Sequence, residues 1–199
     1  MPPVTTALIV ANVAVFLLQS AAPGLVATFA LWPLAASGLN AGVAFAPWQL
    51  LSYAFLHGSL MHLAFNMFAL YMFGSALERV FGARRYAVLY FASVIAAAIT
   101  QLVFAAVSGG VYPTVGASGG VFGLLLGYAI YFPHNRIMLL FPPIPMPARV
   151  FVLLYAALEL FLGVTGTQEG VAHFAHLGGM IGAWLLLRVW RGGVRRPSR

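Results

Sequence analysis

Ser118 sits in TVGASGGVFG, residues 114–123, among glycines in one of the least polar stretches of the chain. Two further polar groups interrupt apolar sequence: His57, His62 and Asn66 in HGSLMHLAFNMF, and His173 and His176 in VAHFAHLGGMIG. A serine hydroxyl is a poor nucleophile until a base takes its proton, and neutral imidazole is such a base near pH 7. His176 fills that role for Ser118. Acyl transfer also needs donors for the developing oxyanion. Backbone N–H groups at Ser118, with a helix dipole behind them, supply some, and His62 and Asn66 add side-chain donors. The customary third partner is a carboxylate that orients the histidine. The sequence has no aspartate and only three glutamates. Glu78 falls at the inner end of an apolar stretch, Glu159 lies within another with its facing open, and Glu169 lies in a loop. All three look badly placed for a triad, so the expectation is a Ser118–His176 dyad with the ring held by packing. The reaction class is then amide hydrolysis in a water-filled pocket.

What positions these residues follows from composition. Of 199 residues, 62% are hydrophobic and 7% charged, with a mean hydropathy of +0.96. A soluble domain carries about 25% charged residues, so the natural solvent is a bilayer. Cysteine is absent, which excludes disulfides, thiolate metal sites and cysteine nucleophiles. A spanning helix needs about 20 mostly apolar residues. Six stretches qualify, roughly 4–22, 58–78, 85–107, 115–132, 149–165 and 170–190. The fold class is an all-α polytopic membrane protein, a bundle of six helices forming one domain over 1–199. The first stretch lacks a basic residue ahead of its apolar run, which argues against a signal peptide.

All ten basic residues are arginines. They fall between spans two and three (Arg79, Arg84, Arg85), between four and five (Arg136, Arg149), and at the end of the chain (Arg188, Arg191, Arg195, Arg196, Arg199). The positive-inside rule then puts both termini in the cytoplasm, and this distribution, not nucleic-acid binding, accounts for the net charge of +7. Arginine without lysine points to a GC-rich bacterial genome and hence a bacterial cytoplasmic membrane. The loop at 23–57 is long, with Trp32, Trp48 and Tyr53 among prolines and glycines, a composition suited to the outer interface. Spans two, four and six all begin at the outer side, which brings His62, Ser118 and His176 to a common depth very roughly 5–10 Å below the surface. Asn66 shares the face of His62 one turn deeper. Gly116 with Gly120, the run Gly119, Gly123 and Gly127, and Gly178 with Gly182 have the spacing that lets membrane helices approach closely. They predict a slim fourth helix with the sixth packed against it.

These motifs resemble those of the rhomboid intramembrane serine proteases, in a minimal six-span bacterial form. GASG at 116–119 is similar to the family's GxSG nucleophile motif and AHLGG at 175–179 to its histidine motif. His62 and Asn66 match its HxxxN pair, WQLLSYAFLH at 48–57 the end of its long first loop, and ERVFG at 78–82 the turn that follows span two. The resemblance implies a Ser118–His176 dyad, an oxyanion hole from His62, Asn66 and the Ser118 backbone N–H, and cleavage of membrane-spanning protein substrates near their outer ends, with no cofactor. Some members carry a tyrosine four residues after the serine, stacked on the histidine. Here that position is Phe122, which keeps the stack and loses a hydroxyl contact.

Other readings weigh less against these residues. A zinc site from His62, His173 and His176 lacks the HExxH pattern and an accompanying carboxylate or thiolate. A transporter leaves the serine opposite histidine without a purpose, and a catalytically inactive scaffold of the same family typically lacks one of the two. On the sequence alone, His173 supports the outer rim, His57 lines the cavity mouth, and His134 is an ordinary loop residue. The proline run at 142–147 shapes a cytoplasmic loop.

Overall fold

The computed structural model describes residues 1–34, 43–138, 143–166 and 172–190. Glu169, the last four arginines and part of the long first loop lie outside them. Helix α1, Pro3–Ala21, begins with a proline, whose missing N–H is no loss at a helix start. Its next two N–H groups, on Val4 and Thr5, donate to the Glu78 carboxylate at 2.9 and 2.8 Å, and the Thr5 hydroxyl donates to it at 2.7 Å. An acid more than seventy residues away therefore caps α1 and meets the positive end of its dipole.

After the short helices α2 (Gly24–Phe29) and α3 (Gln49–Ser52), helix α4 runs Leu60–Ala69. Its N-cap is Ser59, whose Oγ accepts from the His62 N–H at 3.1 Å. A π-helical turn, Leu70–Gly74, leads into α5, Ser75–Ser108, which is interrupted at Gly82 by a backbone φ of 75°. An unbroken helix would separate residues 74 and 86 by about 18 Å. Instead the Tyr86 hydroxyl lies against Gly74. The chain doubles back at Gly82, in the turn expected between spans two and three, and glycine tolerates the positive φ that the reversal needs.

Helices α6 (Ser118–Tyr131), α7 (Ala148–Thr165) and α8 (His173–Trp190) complete the bundle. Between α6 and α7, Arg136–Met138 (β1) pairs antiparallel with Pro145–Pro147 (β2). Part of the proline run thus forms a small hairpin, while its first residue, 142, is outside the described residues. Among the described residues, three helical stretches are long and apolar enough to cross a membrane: Pro3–Ala21, Leu60–Ser108, which holds the reversal, and Ala148–Thr165. At 14 residues α6 is about 21 Å long, short of the hydrocarbon thickness of about 30 Å. It is buried along most of its length, whereas α1 and α7 present Leu17, Leu18, Leu153, Leu154 and Phe161 outward. Apolar side chains facing out from the rim suit a lipid solvent.

The glycines explain the slim centre, with two corrections. A Cβ on Gly179 of α8 would collide with the Gly119 carbonyl of α6, so these two backbones touch. Gly120 and Gly123 instead receive Tyr90 and Ser93 of α5. Gly178 and Gly182 face Thr100 and Ala96, so that pair seats α8 on α5 and not on α6. Gly116 precedes the helix altogether, with φ 126°, and is no half of a helical GxxxG.

Candidate active site

Ser118 is the first residue of α6, and the segment before it is tied down by the outer loop. Leu31 and Thr114 exchange backbone bonds of 3.0 and 2.9 Å, and the Gly116 N–H donates to the Tyr53 carbonyl at 2.9 Å. Tyr53 is itself fixed, its hydroxyl donating to the Val94 carbonyl at 2.8 Å. The loop is cross-braced. Gln49 donates to Thr28 and Ala44 carbonyls and accepts from the Trp32 N–H, and the Trp48 indole donates to the Thr28 carbonyl. Backbone pairing of this kind removes the freedom of a loop to shift Ser118.

The Ser118 Oγ lies 2.8 Å from His176 Nε2. His176 is buried on α8, and its ring stacks on Phe122 at 4.1 Å between centroids and 4° between planes. Tyr155 of α7 also stacks on Phe122, at 5.4 Å between centroids. The stack expected of Phe122 is therefore present.

The carboxylate is where sequence reasoning failed. Glu159 is buried on α7, and its Oε2 lies 2.9 Å from His176 Nδ1. The same oxygen lies 2.6 Å from His173 Nδ1. Glu159 faces the Ser118–His176 pair, so the expectation that all three glutamates are misplaced is wrong. His173 is buried against Glu159 and does not support the rim. The available signal was a single acid inside an apolar span, which demands a partner. Two histidines at i and i+3 on one helix face could meet it.

His62 reaches the site from α4. Its ring lies against Gly116, where a Cβ would sit 2.8 Å from Nε2 and 3.6 Å from Ser118 Oγ. Only glycine leaves room for the imidazole beside Ser118. Asn66 is buried one turn deeper, and its amide nitrogen donates to the His62 carbonyl at 2.9 Å. That bond occupies one amide hydrogen and leaves the other. His57 does not line a cavity mouth. It is fully buried, packs edge-on against His62 at 5.0 Å, and among the described residues neither ring nitrogen has a hydrogen-bond partner. Burial, then the neighbouring His62, lowers its pKa to about 4, so it is neutral at physiological pH. Its backbone is held instead, through paired bonds of 2.6 and 3.0 Å with the Gln19 side chain of α1. His134 is exposed in the turn before β1.

The model of the rhomboid domain matches residues 44–191. The chain belongs to the rhomboid family. It is an integral membrane protein. The rhomboid protease GluP of Bacillus subtilis is 32% identical over 137 residues, 69% of this chain and 25% of that protein. RHOMBOID-like protein 4 of Arabidopsis thaliana is 36% identical over 164 residues, 76% of this chain and 37% of that one. The putative rhomboid protease YdcA of Bacillus subtilis is 31% identical over 157 residues, which cover 78% of this chain and 74% of that rhomboid. The chain thus spans about a quarter of the first of these relatives and over a third of the second.

Proposed function

We propose that this rhomboid is an intramembrane serine endopeptidase that cleaves membrane-spanning proteins near their outer ends. The observation that carries the reading is the 2.8 Å contact between Ser118 Oγ and His176 Nε2 at the start of a short, buried helix. In the first half-reaction the Oγ bonds to the scissile carbonyl carbon as its proton passes to Nε2. The C–N bond then breaks, and Nε2 returns that proton to the leaving amine. Water repeats the sequence on the acyl-enzyme and releases the acid, so no proton is lost or gained by the enzyme. The oxyanion is met by the Ser118 N–H at the α6 N-terminus and by the side chains of His62 and Asn66. A membrane-spanning substrate fits a site framed by lipid-facing helices. Six spans, with both termini in the cytoplasm and the site opening outward, fit the arginine distribution. The names of GluP and YdcA, both called rhomboid proteases, point the same way.

The test needs no known substrate. A fluorescent fluorophosphonate reacts with an activated serine. The protein purified in mild detergent should be labelled, and Ser118→Ala and His176→Ala should not. A folded wild type that stays unlabelled beside a reactive rhomboid control would leave a binding scaffold of the same fold. Solute flux in proteoliposomes that persists in Ser118→Ala would favour a transporter.

A further inference from the structure

Beyond the serine and its base, the structure holds a buried acid with two histidines on one of its oxygens. We propose that Glu159 is a positioning residue for the His176 ring, with His173 as its second anchor, so that this rhomboid works with a Ser118–His176–Glu159 triad. The proposal rests on the serine-protease reading above and deepens it.

The argument starts from hydrogen-bond roles. A carboxylate only accepts, so the Nδ1 that faces Glu159 Oε2 at 2.9 Å carries the proton. In a neutral imidazole the other nitrogen is then bare. Nε2, 2.8 Å from Ser118 Oγ, is thereby left with the lone pair that accepts the serine proton. Glu159 thus selects the useful tautomer. Packing alone cannot do this, because the Phe122 stack fixes the plane of the ring but not its rotation within that plane. The nearly parallel rings, 4° apart, could slide or turn over one another; the bond to Glu159 stops that turn.

Burial supports a dedicated role. The only buried residues of α7 are Ala148, Val152 and Glu159; its other residues are half-buried or exposed. An ionised carboxylate in such a place is expensive unless it is paired. Its Oε2 accepts from both Nδ1 atoms, His173 at 2.6 Å and His176 at 2.9 Å, and so links α7 to α8 at the base of the site. When Ser118 gives up its proton, the imidazolium forms beside this negative charge. The same three groups have ligand atoms within 4.8 Å of one another, but the oxygen–nitrogen separations are shorter than the roughly 3.3 Å between two ligands of a tetrahedral zinc ion. They are hydrogen bonds.

The experiment uses the full chain in detergent and follows fluorophosphonate labelling, separating the maximal labelling rate from the concentration dependence. Glu159→Gln keeps the side-chain shape and removes the charge. Its maximal rate should fall roughly 10²-fold or more, given the ~10⁴-fold loss when a triad aspartate is neutralised, while half-saturation stays within about threefold. Glu159→Asp should recover part of the rate. Wild-type rates in Glu159→Gln would overturn the proposal. Should Glu159→Gln fail to fold, ¹⁵N spectra of histidine-labelled wild type decide. The His176 signals, identified by their loss in His176→Ala, must show a protonated Nδ1 and a bare Nε2 near pH 7.5. The opposite tautomer overturns the proposal, and so does labelling that a chelator abolishes, which would mark a metal site. If wild type is never labelled, the protease reading fails, yet the tautomer still reports whether Glu159 orients the ring.

Discussion

Phe122 and Glu159 hold one imidazole from two directions. The ring stack fixes its plane, and the carboxylate fixes its orientation in that plane. An aromatic stack contributes about 0.5–1.5 kcal/mol beyond burial, so Phe122→Leu should slow fluorophosphonate labelling by about 2- to 10-fold without abolishing it. Phe122→Tyr should label at close to the wild-type rate, since the stack survives. Labelling of Phe122→Leu at the wild-type rate would show that Glu159 alone suffices. A second prediction concerns Gly116. A methyl group there would meet the His62 ring at 2.8 Å, and the backbone φ of 126° strains any L side chain. Gly116→Ala should therefore cost most of the labelling, and a variant still labelled at more than about half the wild-type rate would show that the ring can move aside.

At the scale of elements, α6 is a thin rod threaded between α5 and α8. Gly179 and Gly119 touch backbone to backbone, and Tyr90 and Ser93 fill the space left by Gly120 and Gly123. Overpacking a tight contact costs about 1–3 kcal/mol, and a backbone carbonyl cannot rotate away as a side-chain tip can. Gly179→Ala should lower the melting temperature by several degrees and displace Ser118 from His176. Gly24→Ala, which meets nothing within 4 Å, is the matched control and should melt like wild type. Equal melting temperatures would refute the account of α6 packing. The same scale explains α1, a helix with few buried residues, whose start is held by the buried Glu78. Removing one partner of a buried charge-assisted bond costs about 1–3 kcal/mol. Glu78→Ala should therefore destabilise the protein by that order in thermal unfolding, and an unchanged melting temperature would mean that α1 docks through its apolar contacts alone.

For the whole molecule, two consequences follow from where charge sits. The arginine positions in the sequence imply cytoplasmic termini by the positive-inside rule, which labelling can test. Because the sequence lacks cysteine, single cysteines can report orientation. Ala83→Cys and Val111→Cys are both at exposed positions. In intact spheroplasts an impermeant maleimide should modify the second and spare the first; the reverse pattern would invert the topology. The other consequence concerns pH. His57 titrates near pH 4 when folded and near 6.5 when unfolded, so the unfolded chain binds the extra proton between those values. Its contribution to stability is full above about pH 6.5 and is lost as pH falls toward 4. Melting temperature should fall over that window, and His57→Phe should flatten the fall.

Much of this was legible in the sequence because hydrophobic run length and arginine position are local properties. The boundaries of α1 and α7 fall within a residue or so of the stretches read from hydropathy. The sequence also singled out Ser118, His176 and His62, since polar groups in apolar spans and a glycine-flanked serine stand out by type alone, whereas Phe122 came only from the resemblance to the rhomboid family. What it could not determine is which way a helix faces when most of its residues are apolar all round. That rotation is decided by packing against neighbours, and it turned Glu159 and His173 inward to share one oxygen atom. The same uncertainty misassigned Gly178 and Gly182, whose spacing announces a close approach without naming the partner helix. Sequence by itself determined the solvent and the apolar stretches, and it pointed to the serine and histidine that the fold brings together. Only the tertiary structure decided what holds that pair in register, because a hydrogen bond between α7 and α8 depends on two helix rotations that no local pattern records.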